Sequence, residues 1–414
     1  MEKKKCVLVG TGGRGIQAYL HPIVHSHLNA AVECCGLYDA VKERAEACSK
    51  AYGNIPVFDD FDTMLHTVHP DVVIVTTKDS DHHLYVIRAL DMGYDVITEK
   101  PITNTRQKAL EIMEAEKRSG KTVRVIFNMR YMKPIEDLKT VLKSGVIGQV
   151  RHIDFQWQLD RSHGADYFRR WHRRLENTSS LLVHKSTHHF DVVNWVTEKK
   201  PVSVFARGFL EFYGKNGSFR GTCCHKCAHA DHCPMYVDYT TDEFCRKYYF
   251  DVENVSGYYR DGCVFAEEID IFDRMALNVL FEDGATMNYS LTCYNIEEGM
   301  RISFTGTKGR VEMQYFGSGP QKTHPIRIRI LTEDGKESFV DTAFDTGAHG
   351  GADAKMLDVL FGLNDEPDPL GRLAGSYEGY LSLAIGDMAV CSILSGREVA
   401  IDDLTTGQTS VPEA

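Results

Sequence analysis

The sequence predicts an α/β protein in two parts. Residues 1–132 read as a parallel sheet covered by helices on both faces, and residues 133–414 as an α/β part built on an open, mostly antiparallel sheet. Three observations carry this. A short apolar strand, Val7-Leu8-Val9, runs into the glycine-rich loop Gly10-Thr11-Gly12-Gly13-Arg14-Gly15 and then into Ile16 to Leu20, which can open a helix. Strands and helices then alternate up to about Met132. From residue 150 the strands lengthen, alternate apolar with polar residues, and are joined by hairpin turns.

The glycine loop has the order that a dinucleotide site requires. Gly10 permits the tight turn, Gly12 lets the backbone approach a pyrophosphate, and Gly15 lets helix pack on strand, with the helix N-terminus facing the anion. Thr11, Gly13 and Arg14 complete this candidate cofactor loop. The next strand, Ala31 to Asp39, ends in an acid at about the separation expected of a ribose-binding carboxylate. Such a carboxylate accepts hydrogen bonds from the 2′-hydroxyl of NAD and repels a 2′-phosphate, so Asp39 favours NAD over NADP. The plainer alternative is a strand-ending Asp that caps the helix starting near Val41.

Further along, Val57-Phe58 is a candidate short strand, Asp71 to Thr77 an apolar strand with a polar end, and His83 to Met92 a helix. Asp95 to Thr98 reads as a strand, Asn104 to Arg118 as a charged helix and Val123 to Phe127 as another strand. In a parallel sheet of this kind, ligands bind at the carboxyl ends of the strands. Gly10 to Gly15, Asp39, Thr76, Thr77, Glu99-Lys100-Pro101 and Asn128 all fall there, and His82 joins them as a candidate cofactor residue. Lys100 would lie near the nicotinamide end, where an amine with a depressed pKa exchanges a proton with a substrate hydroxyl. Pro101 restricts Lys100 to an extended conformation; a solvated turn is the alternative.

Pro134 to Ser144 is an amphipathic helix, and Val150 to Trp157 an alternating strand. Hairpins are expected over Met275 to Tyr294 at Asp283-Gly284, over Arg301 to Phe316 at Thr307-Lys308-Gly309, and over Ile326 to Val340 at Asp334-Gly335. One face of such a sheet stays exposed and commonly carries a substrate pocket or a subunit interface.

Within this part, Leu181 to Trp195 has helical spacing. Separations of four and three put His184, His188 and Asp191 on one face, with Lys185 and His189 adjacent. Imidazoles, an amine and a carboxylate together form a proton-handling or metal-binding set; a polar face paired across a domain junction is the alternative. Tyr167 to Arg173 precedes this helix. There Trp171 can stack on the apolar face of a pyranose while Arg170 and His172 donate hydrogen bonds to its hydroxyls, unless the stretch is simply solvated. His349-Gly350-Gly351-Ala352-Asp353 opens the last helical region and offers His349 to the same pocket.

The bulk numbers exclude some classes. A chain of 414 residues, 43% hydrophobic and 25% charged, has the make-up of an ordinary globular protein with two cores. A net charge of -11 argues against nucleic acid or anionic membrane as a main partner. The first apolar run is too short for a signal peptide and no stretch approaches a membrane span, so a cytoplasmic protein is expected. Of twelve cysteines, Cys6, Cys34, Cys35 and Cys391 read as small apolar core residues. The exception is a cluster at about 222–263. Cys224 and Cys227 have C-x-x-C spacing, Cys233 follows, and Cys263 or Cys245 completes a tetrahedral thiolate set for structural zinc, with Cys263 favoured because it begins the strand-like Cys263-Val264-Phe265. A redox-active C-x-x-C and a set of free thiols are the rivals.

Together, the Gly10 to Gly15 loop, Glu99-Lys100-Pro101, Asn128-Met129-Arg130-Tyr131 and the helix with His188 and Asp191 resemble the glucose-fructose oxidoreductase / inositol dehydrogenase (Gfo/Idh/MocA) family over nearly the whole chain. The resemblance implies an N-terminal Rossmann domain and a C-terminal α/β domain whose sheet often mediates oligomers, here a dimer or tetramer. It also implies NAD-dependent oxidation or reduction of a sugar, glycoside or related polyol. By position, the family's Glu-Lys-Pro lysine is Lys100 and its catalytic histidine is His188, three residues before Asp191. Where the family often has an Asp four residues before that histidine, this chain has His184, followed by Lys185. Lys100 and His188 would then relay the hydroxyl proton while the hydride passes to nicotinamide, with His184 and Lys185 tuning the relay. Arg130, Arg170, Trp171, His172, His189, Asp191 and His349 are the candidate substrate contacts. The cysteine-rich segment is an insertion relative to smaller members. Some relatives hold NAD tightly and use transient oxidation to eliminate and rehydrate a glycosidic bond, which makes a redox-assisted hydrolase the second reading. A non-catalytic NAD-binding regulator is the third, and the crowding of His184, Lys185 and His188 weighs against it.

Overall fold

The computed structural model describes residues 3–322, 324–364 and 367–404. Its first sheet contains β1 (Lys4–Val9), β2 (Val32–Tyr38), β3 (Val72–Val75), β4 (Asp95–Thr98) and β5 (Val123–Val125), all parallel, in the order β2-β1-β3-β4-β5. Helices Lys42–Ala51, Phe61–Val68, His82–Asp91 and Arg106–Ser119 connect and cover it. Covered on both faces, Val7, Leu8, Val9, Val73, Ile74 and Val75 are all buried, which explains their unbroken apolar run. Strand order reverses between β1 and β3, and the glycine loop sits at the carboxyl end of that switch point. Val57 makes only a single bridge to Leu37 instead of the expected strand.

The second sheet has nine strands in the order β13-β12-β11-β10-β6-β9-β8-β7-β14. They are β6 (Val150–Asp160), β7 (Pro201–Phe209), β8 (Arg274–Phe281), β9 (Thr286–Asn295), β10 (Gly299–Gly306), β11 (Gly309–Phe316), β12 (Ile326–Thr332), β13 (Glu337–Thr342) and β14 (Val399–Ala400). All pairings are antiparallel except β6 with β9. The exception follows from topology: β6 lies between β9 and β10, two strands of opposite direction, so it must run parallel to one of them. The hairpins turn where expected, with Gly284 and Gly335 at φ of 78° and 76°. One face packs on helices Thr187–Thr197 and Ser376–Ser395. The other is open, a groove of about 1040 Å³ lined by Phe205 and Phe339 as well as by Asn278, Asn288, Arg301 and Arg310.

The chain crosses the expected division near residue 132 again at its end. Helix Ser376–Ser395 is apolar on nearly every side, as a helix between two layers must be. A Cβ on Gly379 would meet Val125 of the first sheet at 2.9 Å, and one on Gly386 would lie 2.3 Å from the Leu182 carbonyl. Arg106, 1% exposed, donates to Asp387 at 2.6 Å and to the carbonyls of Ala400, Ile401 and Asp403. Val125 pairs with Ala374. Helix Ala352–Phe361 buries Ala352, Met356, Leu357 and Phe361 in the same cluster as Leu8, Ile16 and Tyr19.

Residues 222–263 form a lobe of short turns and one six-residue helix, Glu243–Tyr248. Its Tyr248 and Tyr249 are buried in the first domain's core cluster, with Phe244 and Tyr258 packed against it. No helix among the described residues is long and apolar enough to cross a membrane.

Candidate active site

The glycine loop divides its labour as the spacing predicts. Gly10 has φ of 94°, and a Cβ there would lie 2.8 Å from the Thr76 carbonyl. A Cβ on Gly15 would lie 2.3 Å from the Gly10 carbonyl and 2.5 Å from Thr76 Oγ1. Thr76 closes this corner by donating its hydroxyl to the Gly10 carbonyl at 2.6 Å. Gly12 and Gly13, by contrast, meet only Tyr249 and Phe244 of the lobe 222–263 on their outer side, and the Gly13 N–H donates to the Tyr249 hydroxyl at 2.8 Å. An oxygen acceptor therefore already occupies a donor that the loop offers to anions.

Asp39 ends β2 with both oxygens engaged. Oδ2 accepts from the Thr11 N–H and hydroxyl at 2.7 and 2.9 Å, and Oδ1 accepts from the Val41 N–H at 2.8 Å. The capping alternative is thus present, and Arg44 lies 3.5 Å away. Ionised carboxylates accept about four hydrogen bonds, so the role is not exclusive of a ribose hydroxyl.

Lys100 follows β4 as the sequence suggests, and the Lys100–Pro101 peptide is cis. Its Nζ donates to the His184 carbonyl at 2.9 Å. Burial pushes the amine from 10.5 down to about 8, although Asp79 and Glu99 partly oppose the shift. Asp79, only 2% exposed, has its own pKa raised by burial, with Lys100 opposing the rise. Its Oδ2 meets His184 Nδ1 at 2.7 Å. His184 is held well below the usual histidine range by burial and by the charge of Lys100. The protonation of Lys100 is therefore linked to that of Asp79, and His184 is bonded to the latter.

The stretch 181–197 is two helices, Leu181–His184 and Thr187–Thr197, where the spacing predicted one. The Leu181 carbonyl accepts the N–H of both Lys185, at 3.0 Å, and Ser186, at 2.8 Å, which ends the first turn. Ser186 then bonds the buried Tyr289 hydroxyl at 2.8 Å. The break sends the candidate side chains different ways. His184 faces Asp79, whereas the Lys185 ammonium lies 5.0 Å over the Trp157 ring, its pKa lowered by burial. His188 has a buried Nδ1 with no hydrogen-bond partner, and burial with nearby Lys100 and Lys185 keeps it neutral. His189 is fully buried, stacked on Trp157 at 4.2 Å and bonded to Tyr289 at 2.7 Å. Asp191 forms a bidentate pair with Arg130, at 2.6 and 2.8 Å, with both residues buried.

His172 is buried, stacks on Trp171 at 3.9 Å and lies 4.2 Å from the His184 ring, so these three make one aromatic wall beside Lys100. Arg170 pairs with Asp166, which also takes Arg260 of the lobe at 2.6 Å. His349 bonds Asp353 at 2.8 Å. Asp353 in turn receives Arg14 at 3.1 Å and Asn128 at 2.9 Å. Burial pushes its carboxyl up, but the His349 bond and the Arg14 charge outweigh it and hold the acid far below the usual range. Arg14 is also tied to Glu99 at 2.6 Å, which accepts the Tyr19 hydroxyl as well. His82 sits beneath, bridging the Thr77 and Pro101 carbonyls at 3.2 and 2.9 Å. Thr77 is beside it; its hydroxyl donates to the Lys78 carbonyl at 3.4 Å.

Two residues of this site escape local sequence reading. Asp79 follows β3 closely enough for its position to have drawn notice at the carboxyl edge of the sheet. Tyr249, over two hundred residues from the loop it contacts, carries no such signal, and Asp353, within the stretch 349–353 offered to the pocket, hides only its pairing with Arg14.

Comparison with known proteins agrees with this geometry. The family described as "Oxidoreductase family, NAD-binding Rossmann fold" matches residues 4–127, and "Oxidoreductase family, C-terminal alpha/beta domain" matches residues 139–401. YteT of Bacillus subtilis is 33% identical over 429 residues, covering 97% of this chain and 98% of its own. D-glucoside 3-dehydrogenase of Escherichia coli is 31% identical over 119 residues, 29% of this chain and 34% of its own. Among solved structures, the WlbA dehydrogenase of Bordetella pertussis, in complex with NADH and UDP-GlcNAcA, shares the fold with a TM-score of 0.65 at 17% identity, over 96% of this chain and 99% of that one. With both domains matched in order and the glycine loop and Glu-Lys-Pro lysine at one sheet edge, the chain belongs to the Gfo/Idh/MocA family of oxidoreductases.

Proposed function

We propose that this chain is an NAD-dependent oxidoreductase that transfers a hydride between a secondary hydroxyl of a sugar or glycoside and nicotinamide. The observation that carries the reading is Lys100: a buried amine with a pKa of about 8, at the carboxyl edge of the dinucleotide-binding sheet and beside Asp79 and neutral imidazoles. An amine so poised exchanges protons near neutral pH.

The residues fit the cofactor. Gly10 to Gly15 form a cradle whose corners admit no Cβ, and the Gly13 N–H has an oxygen at 2.8 Å in a position suited to a pyrophosphate oxygen. Asp39 would take the ribose, while Thr76, Thr77, His82, Glu99 and Asn128 shape the floor. NAD, when bound, supplies the hydride acceptor. The chain's own part is proton handling: Lys100 takes the hydroxyl proton, and Asp79 holds the His184 proton on Nδ1, which presents Nε2 as an acceptor to a neighbouring hydroxyl. His188 and Lys185 set the potential around that proton, Trp171 and His172 form an apolar wall, and Arg170 and His349 stand at its rim. Arg130, Asp191 and His189 act beneath it as supports.

A second reading, hydrolysis of a glycoside through transient oxidation by retained NAD, is favoured by one observation. The lobe covers the cofactor loop at Tyr249, so a cofactor that has displaced that hydroxyl would be slow to leave from beneath it. Absorbance of NADH on mixing the protein with NAD and a panel of sugars, methyl glycosides and inositols tests the first reading. Aglycone release without added NAD, from protein that carries its own, would replace it with the second, and NAD binding without turnover on any of them would leave a regulator. The open face of the second sheet suits a homodimer or homotetramer, and the unbridged cysteines of the lobe suit the reducing cytoplasm. Zinc in the lobe concerns its stability, and the proposed chemistry does not depend on it.

A further inference from the structure

The lobe 222–263 has little of its own to hold it together. Its secondary structure is a few three- and four-residue turns and one helix of six residues. Segments this short and this poor in core are commonly stapled by disulfides or metal. The lobe's cysteines, Cys223, Cys224, Cys227, Cys233, Cys245 and Cys263, form no disulfide, so none does it here.

We infer that Cys224, Cys227, Cys233 and Cys263 form a closed tetrathiolate site for a single zinc ion that staples the lobe. The four residues, spread over forty positions of sequence, line one small cavity of about 10 Å³ together with Cys223, Gly221, Met235 and Val264. Donors converge on the sulfurs from three directions. The Gly221 N–H donates to Cys263 Sγ and the His229 N–H to Cys227 Sγ, each at 3.4 Å, and Arg169 donates to Cys224 Sγ at 3.2 Å. Such N–H···S contacts are the outer shell that orients and stabilises metal-bound thiolates. Gly221 is also a position where a Cβ would come 3.1 Å from Cys227 Sγ, so the backbone must pass this close.

Arg169 supplies an independent argument. It is 3% exposed, and its other acceptor is the Met235 carbonyl. Among the described residues no carboxylate pairs with it. A buried guanidinium without a counter-ion is costly. A zinc ion with four thiolates carries a formal charge of about -2, which is the missing partner.

A rival set lies next door. Ligand atoms of Cys223, His225 and Asp261 fall within 4.8 Å of one another, the one such group among the described residues, so the four thiolates must draw together as they take up the ion. Their geometry is already closed by hydrogen bonds: Asp261 accepts both the N–H and the ring Nδ1 of His225, at 2.8 and 2.9 Å, and its carbonyl accepts the Cys224 N–H at 2.9 Å. Glu253, on the far side of His225, is paired with Lys226. This set positions the turn that carries Cys224 and is not assigned the ion.

The test uses full-length protein purified without chelator, with metal measured by mass spectrometry. The expected result is about one zinc per chain, lost at least fivefold in Cys227→Ser and Cys263→Ser and kept in Cys223→Ser and His225→Gln. Because a serine variant can misfold, wild-type protein is also titrated with a mercurial; release of the ion in step with about four thiols supports the site. Cobalt(II) exchanged into wild-type protein should give thiolate charge-transfer absorption. Protein without zinc that takes up no cobalt overturns the inference. So does zinc that survives Cys263→Ser in folded protein but leaves with His225→Gln, or a metal-free Cys224–Cys227 disulfide.

Discussion

Replacing Lys100 with methionine removes the amine and keeps most of the side-chain bulk, which isolates its proton chemistry. With a pKa of about 8, the amine is neutral in about one molecule in ten near pH 7 and in about nine in ten near pH 9. A base must lose its own proton before it can accept another, so kcat/KM for alcohol oxidation rises with pH. The expected gain is about tenfold between those two values, levelling above the pKa. Lys100→Met removes the limb and lowers kcat by about 10²–10⁴-fold. Lys100→Arg fares no better, because a guanidinium keeps its proton at every working pH. Asp79→Asn takes away a charge that favours the ammonium form, so the limb moves to lower pH, by about one unit. Initial rates of NADH formation across a buffer series read all of this once a substrate is in hand. A flat profile in the wild type, or a folded Lys100→Met with more than about a tenth of the activity, would refute the assignment of Lys100 as the base.

Gly15→Ala drives a Cβ to 2.3 Å from a backbone carbonyl, so it should cost about 1–3 kcal/mol in denaturant melts and abolish NAD binding. Gly13→Ala meets only side-chain atoms, the nearest at 3.1 Å, and should leave the melt within about 0.5 kcal/mol. Asp191→Asn leaves Arg130 buried without its bidentate partner and is expected to destabilise by about 3–5 kcal/mol in urea titrations; a loss under about 1 kcal/mol would show the pair to be dispensable. Tyr249→Phe removes a hydroxyl that competes for the Gly13 N–H, so NAD should bind about fivefold more tightly by fluorescence titration, and weaker binding would mean that the hydroxyl helps to hold the cofactor.

What the sequence revealed, and what it hid, divides by range of interaction. The turn at Gly10 to Gly15 was legible because its constraints are local: φ at Gly10, and contacts of Gly15 with Gly10 and Thr76 at the ends of adjacent strands. Lys100 was legible because the carboxyl end of a parallel strand is a place as well as a pattern. Helical periodicity over 181–195 was real on both sides of Lys185 but blind to the interruption, where the Leu181 carbonyl takes the N–H of both Lys185 and Ser186 and the ladder restarts with Phe190 on the Ser186 carbonyl. That missed break is why His184 belongs with Asp79 and not with Asp191. Asp191 itself and Arg130 look like site residues by position, and the three-dimensional reason for their charge is each other. The parallel pairing of β6 with β9 was equally hidden, because strand direction in a mixed sheet depends on which strand is inserted where.

The return of the chain to its own beginning sets an order of events during synthesis. Arg14 sits in the first turn after β1, yet one of the acids that orient it is Asp353, and β5 is completed by Ala374. Arg106 waits still longer, for Asp387 and the carbonyls of residues 400–403. Of these two domains, the one made earlier is therefore finished later. A nascent chain stalled before residue 350 would carry an incomplete cofactor loop and an uncovered apolar sheet edge, and the mature protein should melt in one transition and not as two independent domains.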